Sequence, residues 1–186
     1  MKTPFPGRGT LKSFLLTTLF CAILASAPAG AGEHSLGLGA HFWKTVDKIV
    51  DDGGFSGIED DGYGFVASYR YRPGGLVFFQ IDLDYYQDGY GGFSGNTYAP
   101  TAFLGVGRTW YAAAGIGIIH SDKYLHIGDE EFNSATYYLG RIGWNIDLVP
   151  GIGIDLNASY AIDAFNKLDQ VNGDSTTLGA AVRFTF

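Results

Sequence analysis

Hydrophobic and polar residues alternate with a period of two along most of the chain after residue 31. In the segment 76–87, apolar residues begin at Val77 and recur at every second position, while Asp82 and Asp84 lie between them. Successive side chains of a β-strand point to opposite faces. The pattern therefore predicts strands that have one apolar and one polar face.

Turn-rich segments divide this pattern into eight predicted strands. We place them at 35–44, 61–72, 76–87, 97–106, 109–120, 134–147, 152–163 and 176–186. Long connections rich in Gly, Asp and Asn alternate with tight turns. The long connections are 45–60, 88–96, 121–133 and 164–175. An even strand number with long loops at one end and short turns at the other is typical of bacterial transmembrane barrels.

The fold class predicted is all-β, an eight-stranded antiparallel up-and-down transmembrane β-barrel. A secreted, soluble lipocalin-like barrel would have the same strands with its apolar face inward. Three features argue against that alternative: lysines after residue 31 that all lie in or beside the long connections, small residues such as Gly and Ser on the polar face, and apolar-face aromatics near the strand ends. Pro100 cannot donate to a strand ladder, so we expect a bulge there, near the loop end of its strand.

The last predicted strand ends on an aromatic residue and keeps the alternation throughout. Val182, Phe184 and Phe186 share its apolar face, and Arg183 lies on the other face. This segment resembles the final strand of bacterial outer-membrane β-barrels, and residues 32–186 resemble the small eight-stranded barrels of the OmpX/OmpA type. In that family the terminal aromatic strand is the signal that the barrel-assembly machinery reads.

The resemblance also implies a place and partners. We expect a bacterial outer-membrane protein with extracellular loops and periplasmic termini. Outer-membrane lipid and lipopolysaccharide would then be its surroundings, and the loops could contact an extracellular partner.

The N-terminal segment also predicts a protein that is exported from the cytoplasm. A basic segment precedes the apolar run at 14–25 and the small residues at 29–31, which is the layout of a cleaved signal peptide. We therefore divide the chain into a signal peptide, 1–31, and a barrel domain, 32–186. Cys21 is the only cysteine and lies in the leader, so no disulfide is expected in the barrel.

The charge of the barrel domain excludes one class of partner. Without the three leader cations, 9 Lys and Arg remain against 19 Asp and Glu. Nucleic-acid binding depends on clustered cations, so it is not expected. No cofactor is expected either.

A set of ionisable residues falls on the polar, inward face of the predicted strands. They are His41, Arg70, Asp82, Asp84, Arg141, Asp147, Asp155 and Arg183. Eight strands enclose a space that side chains just fill, and ionised groups buried there must pair. We interpret the set as a structural salt-bridge network. The alternative is a gated, narrow cation path.

The candidates for catalysis are His120, Ser121 and Asp122, which stand together where the fifth strand enters a long connection, and His126, Asp174 and Ser175 could contribute from loops. Some small outer-membrane barrels modify lipid A with such residues. A nucleophile needs a base within hydrogen-bond reach. Adjacent strand residues point to opposite faces, so the spacing argues against this reading.

The long connections hold most of the acidic residues. Weak calcium candidates are Asp51, Asp52, Glu59, Asp60 and Asp61, although their spacing matches no calcium-loop motif. Phe55, Tyr90 and Phe93 add apolar points that suit contact with a partner.

These observations favour a non-catalytic barrel with a structural or surface-interaction role. A lipid-modifying enzyme that uses His120 and a narrow pore or carrier for small solutes are the alternatives.

Overall fold

The computed structural model describes residues 32–45, 61–87, 90, 95–127, 130–162 and 175–186. The predicted signal peptide lies outside them. The described chain forms eight strands: β1 (Glu33–Thr45), β2 (Asp61–Gly74), β3 (Val77–Tyr86), β4 (Thr97–Gly107), β5 (Trp110–Ile127), β6 (Glu130–Val149), β7 (Ile152–Ile162) and β8 (Ser175–Thr185). Within these segments, no helix is long and apolar enough to cross a membrane.

The strands close into one antiparallel barrel in chain order, β1 to β8. Closure joins β8 to β1 in a continuous register that runs from Ser35 opposite Thr185 to Thr45 opposite Ser175. A closed barrel leaves no unpaired sheet edge, which is the condition for a sheet to lie in lipid. The predicted fold class is confirmed.

The hairpin of β5 and β6 is longer than the sequence predicts. Pairing shifts register after His120 and resumes where Leu125 lies opposite Phe132. The expected connection at 121–133 is therefore mostly paired strand. Backbone hydrogen bonding between two strands does not require apolar side chains, so an acidic composition does not mark where pairing ends.

The bulge expected at Pro100 is absent. Pro100 lies opposite Leu83 in an unbroken β3–β4 register. Towards β5, the ladder runs from Tyr98 opposite His120 to Thr101 opposite Gly117, so the offset is unchanged. The missing N–H interrupts local pairing, but no extra residue is inserted.

Side chains alternate between a buried inner face and an exposed outer face, as β4 shows in every residue from Thr97 to Val106. Charged residues are buried inside the barrel, whereas large apolar residues cover the outside. The outer residues include Leu38, Phe65, Phe79, Ile81, Leu104, Ile116, Ile142, Leu156, Leu178 and Val182. This inversion of the usual soluble pattern is the arrangement of a transmembrane barrel and excludes the lipocalin-like alternative.

Glycines on the inner face make room for the large inward side chains. The Phe78 ring lies against Gly105 and the Tyr111 ring against Gly143, so a Cβ at either glycine would collide with the ring. In this way the small residues of the polar face allow a narrow interior to hold aromatics.

Candidate functional site

The interior has three regions along the barrel axis. Aromatic rings lie at the loop end, and we call Trp43, Tyr86, Tyr90 and Tyr137 the aromatic plug. Paired charges lie in the middle, and we call His41, Arg70, Asp82, Asp84, Arg141, Asp155 and Arg183 the charged network. A cavity lies at the end with the short turns and the chain termini, and we call it the vestibule.

The aromatic plug is built around Tyr90. Its ring stacks on Tyr86 with centroids 4.2 Å apart and an interplanar angle of 7°. Trp43 meets it edge-on at 5.3 Å, and Tyr137 lies 6.3 Å away. All four side chains are almost fully buried. Tyr90 is thus part of the core and not the exposed contact point that the sequence predicts, whereas Phe55 and Phe93 lie outside the described residues.

Hydroxyl groups of the plug are anchored to the barrel wall. The Tyr90 hydroxyl is 3.2 Å from the Ser175 Oγ, and the Tyr137 hydroxyl is 2.7 Å from the Thr101 Oγ1. Buried hydroxyl groups need such partners. The plug therefore combines apolar packing with satisfied polar ends.

Asp155 is one centre of the charged network and has no exposed surface. Its carboxylate accepts hydrogen bonds from Arg70 at 2.8 Å, Arg183 at 2.9 Å and the Tyr111 hydroxyl at 2.8 Å. The Arg70 guanidinium is also held between the Phe78 and Tyr111 rings, 4.5 and 4.6 Å from their centroids. The Asn157 amide donates to the same carboxylate at 3.2 Å, so Asp155 has four donors and takes part in two buried ion pairs.

Asp82 is the second centre. Arg141 donates to it at 2.5 Å, and Gln80 donates to it at 2.6 Å. Gln80 also accepts from the Arg70 Nε at 2.6 Å, so the two centres belong to one hydrogen-bonded chain. Arg141 further donates to Ser159 at 2.8 Å.

His41 and Asp84 form a third contact on the inner face, with the His41 Nδ1 2.6 Å from an Asp84 oxygen. Both side chains are buried. With the two centres above, the network contains three arginines, Arg70, Arg141 and Arg183, and three aspartates, Asp82, Asp84 and Asp155. Burial of charge requires such pairing of opposite charges.

Asp147 departs from the other seven residues expected to face the interior. It is exposed, and it lines the vestibule. The β6–β7 register breaks between Asp147 and Val149, next to the turn. Asp147 itself is still paired, opposite Gly153, and lies on the same face of β6 as Arg141, so it keeps its inward position and is exposed because the barrel is open at this end.

The vestibule has a volume of about 590 Å³. Besides Arg70, Asp147 and Arg183, it is lined by residues that the sequence analysis did not single out, among them Glu33, Arg72 and Arg108. Arg72 donates to Glu33 at 2.5 Å and to the Gly107 carbonyl at 3.1 Å. Arg72 and Arg108 each lie at one of the short turns. An arginine beside a turn was therefore the only signal in the sequence that could have indicated this cavity.

His120, Ser121 and Asp122 do not form a catalytic arrangement. His120 and Asp122 are exposed on the outer face, whereas Ser121 is buried inside. The Asp122 carboxylate accepts a hydrogen bond from the Asn96 amide at 3.0 Å, and the same Asn96 accepts from the Tyr85 hydroxyl at 3.0 Å. The barrel wall separates the base from the nucleophile.

The residues expected to form the assembly signal lie on the outer face of the last strand. Val182, Phe184 and Phe186 are exposed. The Phe186 backbone exchanges two hydrogen bonds with His34, at 2.8 and 3.0 Å. Their recognition by the assembly machinery stays a prediction.

Of the calcium candidates, only Asp61 is described, and it is exposed at the start of β2. The others, Asp51, Asp52, Glu59 and Asp60, lie outside the described residues. Within the part of the chain that the structure covers, no three His, Cys, Asp or Glu residues are grouped as a metal site.

No family model and no curated protein matches this chain. Solved structures do match it. The N-terminal β-barrel domain of Pseudomonas aeruginosa OprF is 15% identical, with a TM-score of 0.51, covering 84% of this chain and 98% of that one.

Two further barrels give similar values. Yersinia pestis Ail, in a complex with the heparin analogue sucrose octasulfate, is 19% identical, with a TM-score of 0.51 over 84% of this chain and all (100%) of that chain. Pseudomonas aeruginosa OprG is 12% identical, with a TM-score of 0.50 over 84% and 96%. Likeness at these identities concerns the fold. The chain has the fold of the small eight-stranded outer-membrane β-barrels.

Proposed function

We propose that this chain is a non-catalytic outer-membrane protein with a structural or surface-interaction role. The barrel serves as a rigid scaffold for the acidic connections at its loop end. The observation that carries this proposal is the packed interior, in which the aromatic plug and the charged network leave the described loop-end half filled with side chains.

The outer surface supports insertion in a membrane. Its middle is apolar, and aromatic pairs lie towards both ends. Trp110 and Trp144 stack at 5.1 Å near the turns, and Tyr85 and Tyr98 pair at 5.1 Å near the loop end. Trp and Tyr side chains favour the two membrane–water interfaces.

The orientation and the partners follow from the general layout of such barrels. Long loops face outward and short turns face the periplasm. The surroundings we propose are outer-membrane lipid and lipopolysaccharide, with the barrel-assembly machinery as a partner during insertion and an extracellular partner that binds the loops.

Single cysteines test the orientation in intact cells. In a Cys21→Ser background, Lys44→Cys marks the loop end and Thr109→Cys marks an exposed turn. A membrane-impermeant maleimide should label Lys44→Cys in intact cells and Thr109→Cys only after the outer membrane is permeabilised. The reverse result would contradict the proposed orientation.

The surface role needs its own experiment. Cells that lack the protein should lose envelope resistance to detergent or attachment to a surface, and the intact gene should restore it. A variant with Asp51, Asp52, Glu59 and Asp60 changed to Asn or Gln should restore the resistance but not the attachment. Unchanged resistance and attachment in the deletion strain would contradict the proposal.

The pore alternative is tested in planar bilayers. Because the plug and the network occupy the interior, purified protein should give no unit conductance steps. Reproducible steps would favour a pore.

The enzyme alternative is tested on lipids. With His120 outside and Ser121 inside the barrel, outer-membrane lipids from cells with and without the protein should have identical masses. A change in acyl-chain number that disappears in His120→Ala would instead make the protein a lipid-modifying enzyme.

A further inference from the structure

We propose that the vestibule is a binding site for a small organic anion that carries a carboxylate or phosphate group and enters from the side of the short turns. The inference does not depend on the surface role proposed above, because it concerns the opposite end of the barrel.

The vestibule has the size of a ligand site and is open at the turns. Its volume of about 590 Å³ lies within the range of about 300–1,000 Å³ that is usual for small-molecule sites. Arg108, Val149 and Pro150 contribute to its exposed rim. Arg70 and Arg183 form its inner wall, where the charged network begins.

The charge of the vestibule is opposite to that of the chain. Four arginines line it, Arg70, Arg72, Arg108 and Arg183. Two carboxylates do so, Glu33 and Asp147, and Asp155 behind the wall pairs with both Arg70 and Arg183, which leaves the four arginines with an excess of one positive charge. The full chain carries a net charge of −7. A local excess of guanidinium groups on an acidic protein favours an anionic ligand.

Two of these arginines retain unused hydrogen-bond donors. Arg72 is 5% exposed and Arg183 is 7% exposed, and within the described residues the Nε of each has no hydrogen-bond partner. Their other nitrogens donate to Glu33 and Asp155, which holds both side chains at the cavity wall. An unpaired buried donor is unfavourable, and because each Nε has almost no accessible surface, a small shift of the side chain towards a ligand oxygen would be needed to satisfy it.

The chemistry of the walls defines the ligand class. A guanidinium group presents a planar fork of N–H donors that matches the paired oxygens of a carboxylate or a phosphate. Leu148, Val149 and Pro150 add an apolar part to the wall. We therefore expect an organic anion, with its oxygens at the arginines and its uncharged part near the turn.

Titration calorimetry on the full protein, purified in detergent, tests the site with four probes. These are inorganic phosphate, phenyl phosphate, benzoate and the uncharged benzyl alcohol. We expect phenyl phosphate or benzoate to bind saturably and benzyl alcohol not to bind. A preference between the two aromatic anions would identify the source as a phosphate or a carboxylate. Equal binding of benzyl alcohol, or no saturable binding by either aromatic anion, would overturn the proposal.

Variants locate the binding. Arg72→Gln should weaken it roughly tenfold or more, since a charge-assisted hydrogen bond is lost. Lys44→Gln makes the same charge change on an exposed residue at the other end and should leave affinity unchanged. Equal weakening by both would mean non-specific attraction and overturn the site.

If Arg72→Gln does not fold, a second variant and an NMR titration of the unaltered protein still test the location of the site. Arg108 is exposed at the rim, so Arg108→Gln should fold and weaken binding by a smaller factor. In amide NMR spectra of the unaltered protein, the anion should shift Gly151 and Thr185, which line the vestibule, and leave Lys44 unshifted. Shifts at Lys44 without shifts at Gly151 would contradict the proposed location.

Discussion

The two ends of the barrel interior differ although the same eight strands enclose both. At the loop end, neutral aromatic rings such as Tyr86 and Tyr90 stack over one another and fill the space. At the turn end, arginines such as Arg72 line a cavity. The difference shows that strand number alone does not decide whether a small barrel is filled. The size and charge of the inward residues in each layer decide it.

The charged network separates these two ends, and its loss should have the largest effect. Asp155→Ala removes the carboxylate shared by Arg70 and Arg183. Breaking a buried pair leaves uncompensated charge, so we expect the free energy of unfolding to fall by about 3–5 kcal/mol. Urea unfolding in lipid vesicles, followed by tryptophan fluorescence, measures it. Asp147→Ala, at an exposed residue, is the control, and equal losses would contradict the structural role of the network.

The comparison of the two ends depends on which side chains face the interior and which face lipid. A substitution on the outer face tests this assignment. Leu156 lies on the outer face of β7, so Leu156→Arg should lower the free energy of unfolding by about 2–4 kcal/mol through contact with lipid. The same unfolding assay measures it, with Leu156→Ala as the control. Equal tolerance of Arg and Ala would mean that the two faces are reversed.

The polar anchoring of the plug gives a smaller effect. Tyr90→Phe keeps the ring stack and removes the hydroxyl that meets Ser175. We expect a loss of about 0.5–1.5 kcal/mol in the free energy of unfolding. Tyr98→Phe, on the outer face, should change it less. An equal effect of the two changes would contradict a stabilising role for the Tyr90 hydroxyl.

The rim of the vestibule should contribute almost nothing to stability. Arg108 is exposed, and its nitrogen lies 3.6 Å from a Glu33 oxygen. Exposed ion pairs contribute little, so Arg108→Gln should change the free energy of unfolding by less than about 1 kcal/mol. Thermal unfolding followed by circular dichroism checks this. A loss as large as that of Asp155→Ala would make Arg108 part of the network.

The strands and their faces were predictable because a period of two is a local property of the sequence. The pairings inside the barrel were not. Arg70 and Asp155 are 85 positions apart and meet only because the strand register brings β2 and β7 to the same height. The local alternation does not reveal that register, which depends on the geometry of the turns and on the stagger of the closed barrel.

The plug and the vestibule were missed for related reasons. Tyr90 lies in a segment with many glycines, and its composition suggests an exposed loop, yet the ring enters the barrel mouth. Arg72 and Arg108 border different turns and become neighbours of one cavity only when the barrel closes. Asp147 keeps the inward position that the alternation predicts, but it lies at the open end of the barrel, where it is exposed.

The difference between the two ends of the interior can be measured directly by cysteine accessibility. In a Cys21→Ser background, Ala99→Cys probes the filled loop end, where Ala99 has no exposed surface, and Thr185→Cys probes the vestibule. Lys44→Cys on the outside sets the rate for full exposure. With purified protein in detergent, a hydrophilic maleimide should label Thr185→Cys at a rate near that of Lys44→Cys and leave Ala99→Cys unlabelled. Labelling of Ala99→Cys as fast as Thr185→Cys would contradict a barrel that is closed at the loop end and open at the turns.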